Sequence, residues 1–331
     1  MSNEVLGLGE LLLRMSPESY FRVGQTDRYH SYYGGGEANV MVSLSHLGHK
    51  TGLISKISKN ALGEGGISYL KGHSVDTSLI VRDDGMQGIY FIESGFGGRP
   101  GEAIYNRKGS SATTMQASDF DFDAIMEGAK WFHISGIVLA LGENVRQTVY
   151  SALRSAKRHN VKVSFDFNYR AHFLSLDEAR KIYPKVLPYV NVLFAASFDF
   201  INILGYSPEL SHSELFHKAI DEYGFDYIFG KHRHIFSANE QSLKAYVYDK
   251  AGYKETHEQS FSIFDRIGAG DAFAAGVIHK LLLDFSDSKG AIGFGLANCI
   301  LKQTLAGDVS TFNEASINEF IQTSGKMEVK R

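Results

Sequence analysis

Cysteine is almost missing from this chain. A single one, Cys299, stands among 331 residues, so no internal disulfide can form, and its apolar setting reads as a small buried hydrophobe. Proline is scarce at five, and tryptophan occurs once. There are no internal repeats and no low-complexity linkers, so nothing in the sequence separates one domain from another. No apolar run approaches the roughly 18–20 residues needed to cross a bilayer. The opening Met-Ser-Asn-Glu-Val carries no basic segment ahead of an apolar one, so no secretory leader is expected, and the location is expected to be cytoplasmic. Charge of one sign is not in excess either: 34 Lys and Arg face 37 Asp and Glu, a net charge of −3. Nucleic acid therefore has no electrostatic footprint to bind, although a local anion site would not show in the total.

What is present fits a soluble globular chain, with 44% hydrophobic and 21% charged residues, long enough to bury a large core. Residues 5–15 read as a buried strand interrupted by Gly7 and Gly9. Residues 18–33 are aromatic and polar without helical period. After Gly34-Gly35-Gly36, the residues Val40, Met41, Leu44 and Leu47 fall on one helical face, and Gly48 supplies a stop. Residues 85–107, rich in glycine and aromatics, alternate as antiparallel strands do. Together, the segments 10–33 and 85–111 are expected to form a small β lid on a single domain spanning 1–331.

Beyond residue 112 the rhythm becomes strand, helix, strand, helix. Strands are expected at the start of 131–141 and over 161–167, 190–195 and 225–229, with Val145, Val149, Ala152, Leu153 and Ala156 striping an intervening helix. This alternation implies βαβ units and a mostly parallel central sheet flanked by helices, whose ligands sit beyond the carboxyl ends of the strands.

The strongest chemical signal is Asp265-Arg266-Ile267-Gly268-Ala269-Gly270-Asp271, a glycine turn directly before an apolar helix running to about Leu283. The first amides of a helix lack internal partners, and the helix dipole favours negative charge there. Glycines let a phosphate approach the backbone. Asp271 at the same point could accept a proton from a hydroxyl. An anion cradle beside a base suits phosphoryl transfer. An Asp at a helix start is more often simply a cap, and spacing alone leaves both readings open. Other nucleotide motifs are missing. No GxxxxGK[ST] loop occurs, and Gly7-Leu8-Gly9 lacks the third glycine of a dinucleotide fingerprint, since position 12 is Leu12.

The segment from Asp265 to Asp271 with the following Ala-Phe-Ala-Ala-Gly resembles the C-terminal signature of the ribokinase-like (PfkB) carbohydrate kinases. Its Asp-Arg-Ile-Gly form is similar to the 2-keto-3-deoxygluconate kinase branch, with Arg266 where the family usually has Thr. Gly34-Gly35-Gly36-Glu37-Ala38-Asn39-Val40 with Leu47-Gly48, and the opening Gly9-Glu10 to Arg14-Met15-Ser16-Pro17, carry the same resemblance over about residues 4–310. The resemblance implies a Rossmann-like ribokinase fold with a β lid, ATP as donor, Mg²⁺ as helper, and an oligomer of at least two copies.

It further implies that Asp271 is the general base and that the amides of Gly268, Ala269 and Gly270 form the anion hole. Gly35, Asn39, Tyr90, Tyr105, Arg107 and Arg170 become candidate contacts to a sugar acid. A guanidinium suits a carboxylate, whereas a neutral sugar would not require one. A lone loop Arg is commonly just solvated, and Tyr90 serves lid packing equally well. Asp265, Gly268, Gly270, Asn168 and Gly230 become candidates for the nucleotide and its phosphates. A monovalent cation such as K⁺ ordering the loop around Asp265 is left open.

Two departures stand out. Where the family usually has N-x-x-E, this chain has Ala196-Ser197-Phe198-Asp199, so no metal ligand is certain and Asp199 is the one candidate. Where a G-x-x-G turn is usual, Gly230 is followed by Lys231, His232 and Arg233, a basic loop that faces either solvent or the phosphates. The function expected is ATP-dependent phosphorylation of 2-keto-3-deoxygluconate to its 6-phosphate. The alternatives are a kinase for another sugar such as fructose, and a catalytically weak sugar-binding protein on the kinase fold. A dinucleotide oxidoreductase would rest on sheet architecture alone.

Overall fold

The computed structural model describes residues 3–323. Met1 and Ser2, read above for a leader, and residues 324–331 lie outside them. The apolar run at the N-terminus is not one strand, as the sequence suggests, but two in different sheets: β1 (Val5–Leu8) and β2 (Leu12–Pro17). The chain changes direction at Gly9, where a Cβ would stand 2.1 Å from a carboxylate oxygen of Glu37. The polar stretch that follows ends in β3 (Tyr29–Gly34). Then come β4 (Thr51–Ser58), β5 (Ile80–Asp83), β6 (Ile89–Glu93) and β7 (Glu102–Asn106).

The second half supplies β8 (Trp131–Ser135), β9 (Lys162–Asp166), β10 (Val192–Phe194), β11 (Tyr227–Ile235), β12 (Glu240–Asp249), β13 (Gly252–Glu255) and β14 (Gln259–Ser262). The large sheet has the order β13-β12-β11-β10-β9-β8-β1-β4-β5, with β14 also on β12. From β5 to β11 its strands run parallel, and the last three strands turn antiparallel. The small sheet has the order β3-β2-β6-β7.

Burial explains the helices. In the helix Glu143–Arg158 the stripe Val145, Val149, Ala152, Leu153 and Ala156 is fully buried, and basic residues occupy the last turn, where they suit the dipole. The helix Gly36–His46 buries Val40, Met41 and Leu44, and Gly48 beyond it takes a positive φ of 91°. The helix Ala269–Leu283 is apolar nearly all round because it lies inside, between Gly36–His46 and the helix Ser288–Lys302. Gly276 meets Gly295 across that second contact, and a Cβ on Gly276 would come within 2.8 Å of the Gly295 Cα. Two glycines thus let the backbones of these helices approach closely.

One expected turn is absent. The chain does not bend after Gly230 but continues as β11 to Ile235, paired antiparallel with β12. Gly230 itself packs under the ring of Tyr246, to which a Cβ would come within 2.3 Å. A glycine is needed there for packing, and it does not reach the cavity described next.

Candidate active site

Because β1 and β8 to β11 run in one direction, their carboxyl ends open on one side of the large sheet, and the small sheet flanks that opening. A cavity of about 640 Å³ lies there, lined by residues of both sheets and by the turn from Asp265 to Asp271.

The turn delivers Gly268 as the cap of the helix Ala269–Leu283. Gly268 has φ 78°, and a Cβ there would lie 1.7 Å from the Asp308 carbonyl oxygen. Only glycine meets both demands. The Gly268 and Gly270 amides have no partner outside the helix among the described residues, whereas the Ala269 amide makes a long 3.3 Å bond to the Arg266 carbonyl. Two of the three expected anion-hole donors are therefore open, and the third is weakly held.

Asp271 sits in the first turn of the helix. Burial pushes its carboxyl up to about 7, with Asp166, Glu37 and Asp308 adding to the rise, and a hydrogen bond from Asn39 works the other way. Asn39 Nδ2 donates to Asp271 at 2.6 Å, and Asn39 Oδ1 accepts from the Gly35 amide at 3.1 Å. Asn39 therefore lines the cavity chiefly as the residue that orients Asp271. At Gly35 a Cβ would stand 2.0 Å from the Glu10 carbonyl oxygen. Glu37, which the sequence reading left without a role, is buried and accepts from the Ser135 amide and hydroxyl at 2.8 and 2.6 Å.

The small sheet contributes Tyr90, Tyr105 and Arg107. Tyr90 is buried, its hydroxyl donates to Asp308, and its ring stacks on Tyr105 with centroids 5.6 Å apart. Packing and a cavity wall are thus both served by Tyr90. Arg107 meets the Glu10 carboxylate, and its guanidinium carbon lies 4.9 Å from the Phe173 ring centroid. Ser110 holds the other Glu10 oxygen at 2.5 Å. Arg107 is only 8% exposed, yet its Nε has no hydrogen-bond partner among the described residues.

From the large sheet come Asp166 at the end of β9, then Asn168 and Arg170. Asn168 takes a positive φ of 36°, and its amide donates to Asp166 at 3.0 Å. Burial raises the Asp166 carboxyl. Lys231 and Arg233, two apart on β11, share a face and both line the cavity with Arg170 and Arg266. Lys231 lies 3.9 Å over the Phe273 ring. Burial lowers the pKa of Lys231 and of Arg266, and neighbouring arginines lower both further. None of these four cations has a carboxylate at ion-pair distance among the described residues. Asp199 is not in the cavity wall. It caps the helix Ser197–Asn202 by accepting from the Ala196 amide at 2.8 Å, and burial with Asp166 nearby pushes its carboxyl up to about 7.

Asp265 lines the cavity, and its polar atoms are engaged within the protein. Its carboxylate accepts from Arg14 Nη2 at 2.7 Å, the Ile267 amide at 3.1 Å and the Gly307 amide at 3.1 Å. Its carbonyl accepts from Lys302 Nζ at 3.0 Å. Arg14, Lys302 and Asp308 were missed as partners. The one cue available in sequence was a charge inside an apolar run, Leu-Leu-Leu-Arg14-Met and Cys-Ile-Leu-Lys302. The carbonyl and one carboxylate oxygen of Asp265 are thus held by the chain's own basic side chains.

The sequence pattern of the pfkB family carbohydrate kinases matches residues 2–311. A 2-dehydro-3-deoxygalactonokinase of Haloferax volcanii is 29% identical over 97% of this chain and 98% of its own. A 5-dehydro-2-deoxygluconokinase of Clostridium tetani is 26% identical over 90% of this chain and 86% of its own. The crystal structure of a 2-dehydro-3-deoxygluconokinase from Thermotoga maritima superposes with a TM-score of 0.93 at 33% identity, covering 97% of this chain and 99% of that one. A glycine-capped helix, a buried carboxyl at its start and a ring of cations around one cavity agree with that likeness over nearly the whole length, and the chain belongs to the pfkB family of carbohydrate kinases.

Proposed function

We propose that this kinase transfers the γ-phosphoryl group of ATP to a hydroxyl of a sugar acid, with 2-keto-3-deoxygluconate as the substrate and its 6-phosphate as the product. The observation that carries the choice of a sugar acid is Arg107. A buried guanidinium with an unpartnered donor is costly, and a substrate carboxylate in the cavity would satisfy it with a stronger, charge-assisted bond than a neutral sugar hydroxyl gives. Glu10 stands against one nitrogen of the guanidinium and leaves its Nε free for a ligand. The names of three curated relatives, a 2-dehydro-3-deoxygalactonokinase, a 5-dehydro-2-deoxygluconokinase and a 2-dehydro-3-deoxygluconokinase, support the same reading.

In this reading Asp271 takes the proton of the acceptor hydroxyl as the new P–O bond forms and the ADP oxygen leaves. Asn39 holds the carboxylate in the accepting orientation. The open amides at Gly268 and Gly270 meet the charge of the phosphoryl group in transit. Arg170, Lys231, Arg233 and Arg266 hold the remaining phosphate charge of ATP, which explains four cations left without carboxylate partners. Mg²⁺, when bound, would neutralise phosphate charge. Asp166 fits it as a ligand, because this cation needs only one or two carboxylates and keeps several waters. Asp199, outside the cavity wall, would act on it only through water. The small sheet is a lid that excludes water over the sugar. Its edges, β3 and β7, have no further strand among the described residues, which is where a second copy of the chain would pair. A cytoplasmic location, where ATP is available, belongs to the same reading.

The experiment is ADP release with Mg²⁺, ATP and 2-keto-3-deoxygluconate, beside fructose, ribose and gluconate. Turnover confined to the keto-acid is expected, and Arg107→Ala should raise its KM about 10- to 100-fold, the worth of a charge-assisted hydrogen bond. Turnover with fructose alone, or an unchanged KM in the variant, removes the carboxylate contact. No turnover with any acceptor turns the reading to a sugar-binding protein.

A further inference from the structure

Two basic side chains are almost wholly shielded from solvent, Lys302 at 0% and Arg14 at 2% exposure, and both end on Asp265. Lys302, the last residue of the helix Ser288–Lys302, donates to the Asp265 carbonyl at 3.0 Å. Arg14 binds the Asp265 carboxylate at 2.7 Å and, with its other nitrogen, Asp308 at 2.6 Å, while its Nε donates to Ser16 at 2.8 Å. The Asp265 amide in turn donates to the Gln303 carbonyl at 3.1 Å.

A buried ammonium or guanidinium survives only when opposite charge is set against it. Here Asp265 and Asp308 supply that charge, pairing directly with Arg14 and acting on Lys302 from beyond ion-pair distance against the burial that lowers its pKa. The consequence falls on the turn. Asp265 is its first residue, Gly268 is seated against the Asp308 backbone, and the open amides follow immediately. A cation bound to the carbonyl and carboxylate of Asp265 would fix this turn, and two side chains of the protein do so already.

We infer that Lys302 and Arg14 are positioning residues that stand in place of a monovalent cation, ordering the turn 265–270 so that the anion hole forms without K⁺. Lys302 needs the C-terminal end of one helix to reach Asp265, and Arg14 needs the small sheet, so the turn is tied to both parts of the fold. The inference rests on reading this turn as the anion hole.

The test uses melting temperature as well as turnover, so that it stands even if the acceptor is misassigned. The intact protein is melted in KCl, NaCl, NH₄Cl and tetramethylammonium chloride at equal ionic strength, and its ADP release is measured in the same salts. The wild type should melt and turn over alike in all four, within about twofold in kcat. Lys302→Ala should melt lower and lose about tenfold or more in kcat, as when an oxyanion contact is misplaced, with the KM for the sugar acid little changed. K⁺ or NH₄⁺ should restore part of both losses in the variant, and tetramethylammonium should not. A wild type that melts higher and works faster in K⁺ than in tetramethylammonium overturns the inference, as does a Lys302→Ala protein with wild-type kcat. If Lys302→Ala does not fold, the wild-type salt series decides alone. Absence of turnover in every salt counts against the kinase reading, whereas the melting series tests the cation.

Discussion

Asp271 joins three physical facts at one side chain: the positive end of a helix, a buried setting and a fixed hydrogen bond from Asn39. Burial makes it a stronger base than an ordinary aspartate, since a carboxyl pushed up to about 7 binds its proton more tightly. Asp271→Asn should lower kcat by roughly 10²- to 10⁴-fold, the usual worth of a general base, while calorimetry still detects sugar binding. Near-normal turnover in the variant would end the assignment. With Asp271 as the proposed base its ionised form is the active one, so kcat/KM of the wild type should fall as the pH drops through about 7, and an acid limb centred far from 7 in the pH–rate profile would point to another group.

At the scale of the element, β11 carries the clearest lesson. A strand sends alternate side chains to one face, so continuing straight past Gly230 puts Lys231 and Arg233 on the cavity side. Lys231→Met and Arg233→Ala should each raise the KM for ATP about tenfold or more, the worth of a charged hydrogen bond, and leave the KM for the sugar nearly unchanged. Equal effects on both would make the pair structural. The turn from Asp265 to Asp271 was legible because its chemistry is local: glycines, a helix start and a carboxylate within seven consecutive positions. The stripe Val145 to Ala156 was legible for the same reason. The break at Gly9 was not, because Glu37, which leaves no room for a Cβ there, comes close only after folding. Nor was the straight path of β11, which rests on pairing with β12 and places Gly230 against the Tyr246 ring. The partnership of Arg14 with Asp308 spans 294 positions, and no local period reports such a contact.

The whole molecule shows its site in its titration. The Asp271 carboxyl has a folded pKa of about 7 against about 3.9 unfolded. The folded state thus holds that proton more tightly, and this contribution to stability, full below about pH 4, is lost as the pH rises through about 7. Buried histidines act in the opposite sense. His133, pushed down to about 3 by burial, must lose its proton for the chain to fold and favours folding as the pH rises. The overall pH curve mixes the two, so the useful quantity is a difference. Asp271→Asn should melt higher than the wild type at pH 8, and the gap should close toward about pH 4. Scanning calorimetry at the two pH values reads it, and equal melting at pH 8 would show that the carboxyl is not strained by burial.

The span between Arg14 and its acids has a meaning for how the protein is made. Synthesis runs from the N-terminus, so Arg14 leaves the ribosome with the first strands, whereas Asp265, Lys302 and Asp308 belong to the last part of the described chain. Until they emerge, a guanidinium destined for the interior has no counter-charge and must stay in water. A growing chain can lay down much of its parallel sheet, but it cannot close the turn at Asp265, so a nascent or truncated chain ending before Lys302 should fold its early strands and still lack a working centre.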